Sequence, residues 1–412
     1  MRDANFCAGS WGPAEAGDGF EVELASAAGG PRDWWPRSGP ADLARALEGL
    51  RRGAPAWHGL GASERAGVLG AMLDRWQDDP RDLDALAAFL GFAEGDLDDA
   101  LEAALEEGDR CLAAGPAGGP GPLLARVPAG ELLVGLVREV LPALLAGEPV
   151  LLFADPDLPQ VTRAFVARLA EDERLAGAVA LLHEDRTACL GAALDSGAFE
   201  RAYLPGFLGG AQGAGKPDDA VASLRQGSVR TTFGAGVQGG AEVPSTRLEN
   251  RPLRNSVALV LDGDDPRREA RRVAQAAFGP LVALSGQAAG QVGQVLCHER
   301  SFSAFTAALM ERVEELSARP ACPLFNRGLR AHVAELRRLG LDEGATLLVD
   351  GLEGPTGFRG ASKRAILTPS VFTNVEPSMG LARATRPAPV LALLRTTSDT
   401  EARALAHGDL AR

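Results

Sequence analysis

From Pro40 onward, apolar residues recur at three- and four-residue spacing. The stretches ADLARALEGLRRGAPAW, ASERAGVLGAMLDRWQ, DLDALAAFLGF and DLDDALEAALEEGDRCLAA all carry this period. Such spacing gathers the apolar side chains on one face of a helix, so the four stretches predict a helical layer ending near Ala114. Ser63, just ahead of Glu64 and Arg65, is placed as a helix N-cap. Residues 1–40 lack the period and are rich in Gly, Pro, Ser and Trp, which predicts an extended arm with one or two short strands.

Beyond the linker GPAGGPGP the pattern changes. Helical ELLVGLVREVLPALLAG is followed by strand-like PVLLFADP, helical VTRAFVARLAEDERL, strand-like AVALLHE, helical ACLGAALDSG and strand-like RAYLPG. Strands alternating with helices imply right-handed crossovers and a parallel sheet. From Phe207 to Asn255 the chain is glycine-rich and has no clear period. The alternation then resumes with SVALVLDGDD, PRREARRVAQAAFG, QVGQVLCHE, FSAFTAALMERVEEL, NRGLRAHVAELRRLG, ATLLVDG, AILTPSVFTNV and PVLALLRT. The expected class is α/β, with two parallel-sheet domains of dinucleotide-binding type preceded by the helical layer. Residues 1–250 form the first domain, with arm and helices over 1–114 and an α/β part over 123–250; residues 251–412 form the second.

Composition narrows the function classes. With 46% hydrophobic and 24% charged residues, the 412-residue chain is expected to fold as a soluble globular protein. A net charge of -13 and a pI near 5.0 argue against general affinity for nucleic acid or for anionic membranes, which need clustered positive charge. Lys216 and Lys363 are the only lysines. The apolar window Leu132–Phe153 is interrupted by Arg138, Glu139, Gly147, Glu148 and Pro149, so it is not expected to span a membrane. The N-terminus has neither the basic start nor the apolar stretch of a signal peptide. Cys7, Cys111, Cys189, Cys297 and Cys322 are scattered, with no C-x-x-C pair and no zinc-like histidine spacing. Reduced thiols, a cytoplasmic location and no metal are the expectations.

Candidate chemistry centres on SGQAAGQV, Ser285 to Val292, which has the outline of a nucleophile loop with alanine where a thiol would stand. Cys297 and His298 follow on a strand, where neighbours point to opposite faces; a half-buried cysteine beside a surface histidine is the simpler account of them than a thiolate–imidazole pair. The glycine run at Gly209 to Gly215 could cradle a phosphate, but a flexible surface loop is the better account of it in a chain with 50 glycines. Asp262, Asp264 and Asp265 suit a strand-end turn and a helix N-cap better than a metal site.

Four stretches resemble the aldehyde dehydrogenase superfamily in order and spacing: AWHGLGASERAGVL, LPALLAGEPVLLF, SGQ with QVLCHERSFSAF, and RPAPVLALLRTTSDTEARALA. The likeness runs from about Trp57 to Ala406. It implies a chemistry of cysteine attack on an aldehyde, hydride transfer to NAD or NADP, and thioester release. Carried onto this chain, the implied positions are largely emptied. The nucleophile falls on Ala289 and the oxyanion donor on Gly130; the adenosine-ribose donor falls on Phe153, the phosphate-side Gly-Ser on Gly206 and Phe207, and the nicotinamide-ribose carboxylate on Thr385. Glu249 lies near the general-base position. The resemblance therefore implies a catalytically impaired or inactive protein with a binding or regulatory role and doubtful NAD(P) binding. Two alternatives stay open: an active NAD(P)-dependent oxidoreductase acting on an aldehyde or acyl thioester, with Cys297 as nucleophile and Glu249 as base, and a non-catalytic partner subunit of an active paralogue. A homo-oligomer, or a hetero-oligomer with an active aldehyde dehydrogenase, is the partner expectation. The family's segment beyond PVLALL is not matched here.

Overall fold

The computed structural model describes residues 4–22, 33–80, 97–116, 121–204, 247–249, 255–279, 286, 288, 291–317, 328–351, 369–384 and 387–407. The chain divides near residue 252 into two compact units.

In the first unit the arm holds four strands rather than one or two: β1 (Asn5–Cys7), β2 (Ser10–Gly12), β3 (Gly19–Val22) and β4 (Asp33–Pro36). β1 and β2 close a tight hairpin through Ala8 and Gly9, both at positive φ (52° and 78°), and β3 pairs with β4. β1 also pairs antiparallel with the main sheet at Leu181. The helices α1 (Pro40–His58), α2 (Ala62–Asp78) and α3 (Asp98–Ala114) follow; the predicted helix DLDALAAFLGF lies outside the described residues. Gly61, not Ser63, is the N-cap of α2, and no side chain caps it. Ser63 sits one residue inside the helix, beyond the extended backbone from which a cap acts.

The strands β5 (Leu123–Ala125), β6 (Val150–Phe153), β7 (Val179–Leu182), β8 (Arg201–Tyr203) and β9 (Arg247–Glu249) build a parallel sheet in the order β7-β6-β5-β8-β9, extended by antiparallel β1 and β2. Between them lie α4 (Leu132–Ala146), α5 (Pro159–Leu169), α6 (Glu173–Ala176) and α7 (Ala188–Asp195). The stretch VTRAFVARLAEDERL is thus two helices, because Asp172 starts a new one by accepting the Arg174 N–H at 2.9 Å. β6 and β7 are buried along their whole length, as strands covered on both faces must be, and this is why they read as unbroken apolar runs. Side chains tie down the end of α4. The Trp57 indole donates to the Leu144 carbonyl (2.9 Å), and the buried Arg65 guanidinium donates to the carbonyls of Leu145 (2.8 Å), His58 (3.3 Å) and Leu60. A helix leaves its last carbonyls without intrahelical partners, and these donors satisfy them.

The second unit carries β10 (Ser256–Val260), α8 (Pro266–Phe278), β11 (Val292–His298), α9 (Glu299–Ser317), α10 (Gly328–Asp342), β12 (Thr346–Val349), β13 (Ser370–Thr373), β14 (Val390–Thr396) and α11 (Asp399–His407). Its sheet runs β10-β11-β14-β13-β12, parallel except for antiparallel β12. Both sheets thus have the expected parallel core, with antiparallel strands added at one edge. Strand alternation splits the core. Val295, Cys297, Leu391 and Leu393 face α8 and α9, while Leu296, Ala392 and Leu394 face α10 and α11. Asp265 caps α8 by accepting the N–H groups of Arg267 (2.9 Å) and Arg268 (3.3 Å), and the Asp264 carboxylate closes the preceding turn on the Leu261 N–H (2.7 Å). Among the described residues no helix is long and apolar enough to cross a membrane.

Candidate functional site

In the first sheet the chain steps from β5 through β6 to β7, then returns to the other side of β5 for β8 and β9. Ligands of open α/β sheets bind beyond the carboxyl ends of the strands at such a reversal. The last residues of three strands, Ala125, Tyr203 and Glu249, lie in register across it, so Glu249 stands at this end of the sheet beside Tyr203. Gly130 follows β5 in a short 3-10 turn, Ala129–Glu131, and has no side chain to offer a developing oxyanion. The next residue, Glu131, is acidic. Glu131 is ion-paired with Arg138, which also holds Glu139 at 2.8 Å, and it accepts the Tyr203 hydroxyl at 3.3 Å. Burial, together with Glu131, holds the Tyr203 phenol well above its usual range. Leu132, which opens α4, has φ of 43°, a strained conformation for a residue with a branched side chain.

Phe153, the last residue of β6, is fully buried among Leu151, Leu182, Cys189 and Leu190. An aromatic ring sealed in the core cannot hydrogen-bond a ribose, so at this position the chain does not fit the family's nucleotide. Gly206 and Thr385, the other positions expected to meet a cofactor, lie outside the described residues, as does Ala289.

Beyond β7 come two buried titratable groups. His183 stacks on Trp35 (4.9 Å between ring centres), and its Nδ1 lies 3.3 Å from the Asn5 amide oxygen; burial lowers its pKa to about 3. Glu184 accepts the backbone N–H groups of Cys189 (3.0 Å) and Leu190 (3.1 Å) in the first turn of α7. Burial raises its carboxyl to about 7 against the pull of Arg126.

In the second unit the residues flanking Ala289 are tied to those flanking Thr385. Gly286 has φ of 91°, and a Cβ there would lie 2.4 Å from the Pro389 Cα. The Gln291 amide donates to the Ala388 carbonyl (2.5 Å), the Gln294 amide to Ala382 (2.6 Å) and Ala384 (3.3 Å), and the Asn255 amide to Ala384 (3.4 Å). Three side-chain amides thus hold the loop on either side of Thr385. The sequence reading missed them, although two glutamines in the otherwise apolar run QVGQVLC were a visible signal.

Cys297 and His298 are both buried, not half-buried and surface. Cys297 has no exposed area and belongs to the apolar cluster with Val295, Phe302 and Leu393. Burial pushes its thiol up to about 12, and the His298 Nδ1 accepts the Arg300 N–H (3.2 Å) instead of a cysteine proton. A nucleophile must be a thiolate within reach of its carbonyl; Cys297 is neither ionised at neutral pH nor accessible. Cys7, Cys111 and Cys189 are also free and buried. Among the described residues no group of three or more His, Cys, Asp or Glu could hold a metal ion.

Residues 254–408 match the aldehyde dehydrogenase family. The chain is 28% identical over 154 residues to an alpha-ketoglutarate semialdehyde dehydrogenase of Haloferax volcanii, covering 36% of this chain but only 31% of that protein, about a third of its length. Solved structures extend the likeness to nearly the whole chain. An NAD-dependent benzaldehyde dehydrogenase from Corynebacterium glutamicum superposes with a TM-score of 0.77 at 17% identity, covering 98% of this chain and 86% of that one. A salicylaldehyde dehydrogenase from Pseudomonas putida G7, complexed with salicylaldehyde, gives 0.78 at 15% identity with coverages of 98% and 83%. A putative methylmalonate-semialdehyde dehydrogenase from Sinorhizobium meliloti, complexed with NAD, gives 0.78 at 18% identity with coverages of 98% and 82%. At these identities the structural likenesses establish the fold.

Proposed function

Because residues 254–408 match the aldehyde dehydrogenase family, we propose that the chain is a divergent member of that superfamily that keeps the fold for binding or regulation and has lost aldehyde oxidation. The observation that carries this reading is that, among the described residues, every cysteine is buried, Cys297 completely; the family resemblance, which puts Ala289 at the nucleophile position, supports it. Gly130 without a side-chain amide and Phe153 without a side-chain hydrogen-bond donor add to it. Nucleophile and oxyanion donor act as a unit, and losing one oxyanion donor alone costs about 100- to 1,000-fold in rate. The solved relatives include NAD-bound and NAD-dependent enzymes; for this chain, weak or absent binding of NAD and NADP is part of the proposal.

The test is formation of NADH or NADPH by the purified protein over a panel of aldehydes, with and without coenzyme A, beside calorimetric titration with both nucleotides. No turnover is expected with any aldehyde. Turnover that disappears in Cys297→Ala would overturn the proposal and make Cys297 the nucleophile. A role as partner subunit of an active relative is a separate alternative, and co-purification with a full-length aldehyde dehydrogenase would distinguish it from this reading; elution as a lone monomer at working concentration would count against it.

A further inference from the structure

Four buried polar residues of the first unit meet where the arm reaches the end of β7. His183 and Trp35 have no exposed area, Asn5 is 1% exposed and Ser38 6%. Three contacts join them in a ring: the His183 backbone N–H donates to the Ser38 hydroxyl (3.1 Å), the hydroxyl donates to the Asn5 Oδ1 (3.1 Å), and Oδ1 lies 3.3 Å from the His183 Nδ1. Each contact fixes the next. The Ser38 proton needs an acceptor and finds it in the Asn5 amide oxygen, which sets the orientation of the amide. That oxygen accepts and never donates, so the single proton of the neutral imidazole stands on Nδ1. Nε2 is left with a bare lone pair.

Among the described residues Nε2 is sealed from solvent with no hydrogen-bond donor, and the Asn5 Nδ2 and the Trp35 indole Nε1 are sealed with no acceptor. The indole stacks on the imidazole with 4.9 Å between ring centres, and the Asn5 amide is hydrogen-bonded to the same imidazole, so the three nitrogens belong to one cluster. Buried polar groups without partners are uncommon in native proteins, because each has given up its hydration without return. The chemistry of these atoms selects the ligand: a proton must be given to Nε2, and a lone pair offered to an N–H group. A carboxylate has no proton to give, and an ammonium ion has no lone pair. A hydroxyl has both, and where no surface is exposed the smallest one, water, is the fit. We infer that the arm closes over an internal water site, in which one ordered water donates to the His183 Nε2 and accepts from the Asn5 amide or the Trp35 indole.

Two measurements on the full-length wild-type protein test the site. Nitrogen NMR of histidine-labelled protein at neutral pH reads the tautomer, and is expected to place the His183 proton on Nδ1. A crystal structure is expected to show a water about 2.7–3.2 Å from Nε2 and within the same distance of the Asn5 Nδ2 or the Trp35 Nε1. His183→Phe keeps a ring to stack on Trp35 but has no lone pair, and is expected to lose one long-lived water in a count by water-oxygen relaxation dispersion. A proton on Nε2, a crystal structure with this cluster ordered and no water at Nε2, or an unchanged water count in His183→Phe overturns the inference. If that variant folds poorly, the two wild-type readings decide it.

Discussion

Glu184 and Cys297 follow neighbouring rules of burial: each is driven toward its neutral form, and each change can be measured. The Glu184 carboxyl is raised from 4.5 to about 7 in the folded chain. Its stabilising contribution is therefore complete below pH 4.5 and is lost as pH rises through about 7. Between pH 5 and pH 8 the wild type is expected to lose about 2 kcal/mol more unfolding free energy than Glu184→Gln, read from denaturant titrations at the two pH values; equal losses would refute it. Thiol chemistry gives the second residue-scale prediction. Burial raises Cys7 to about 11 and both Cys189 and Cys297 to about 12, so an aromatic disulfide reagent at pH 8 is expected to leave all three unmodified in the native protein and to label them after denaturation. Mass mapping that finds Cys297 labelled in the native state would reopen its case as a nucleophile. Little of this was legible beforehand. Cys297 in an apolar strand could be read as unreactive, but its complete burial needed α8 and α9 in place, and the contacts of Glu184 with α7 depend on a turn that no periodicity announces.

At the scale of elements, Gly286 is constrained on two counts. Gly286 combines a left-handed backbone with a close approach to Pro389, so Gly286→Ala meets both the positive-φ penalty of about 1–2 kcal/mol and a clash with backbone. A loss of about 3 kcal/mol or more is expected, seen as a lower denaturant midpoint; an unchanged midpoint would show that the loop relaxes freely. Most helices and strands could be read from the sequence because burial on one helix face or on both sheet faces writes a period into it. What failed was local chemistry: Asp172 starting a second helix, Gly61 in place of Ser63 as cap, and four strands in the arm. Short strands paired mainly to each other, such as β3 and β4, need little apolar patterning, so the arm carried almost no signal.

For the molecule as a whole, charge is the property that sequence fixes most directly. With a net charge of -13, the protein is expected to show no binding to duplex DNA at 150 mM salt tighter than about 100 μM, checked by fluorescence anisotropy; salt-sensitive binding at micromolar concentration would reveal a basic surface that the totals conceal. The α/β class and the order of elements were legible because strand–helix alternation is a long-range pattern that survives at 15–18% identity to solved relatives. The candidate site was less legible. Most of its expected positions fall on glycine, alanine and a core phenylalanine, whose side chains carry no chemistry to recognise, and the amides on either side of Thr385 act through backbone carbonyls that any sequence possesses.

The hairpin between β1 and β2 offers a practical handle for protein engineering. Ala8 occupies a left-handed turn position ahead of Gly9 and is exposed, and asparagine is far better suited than alanine to that backbone. Ala8→Asn is expected to raise the melting temperature by a few degrees, about 0.5–1 kcal/mol, without touching the site residues. Such a sturdier parent would let disruptive changes elsewhere in the chain be judged by what they do to binding rather than by whether the protein survives them.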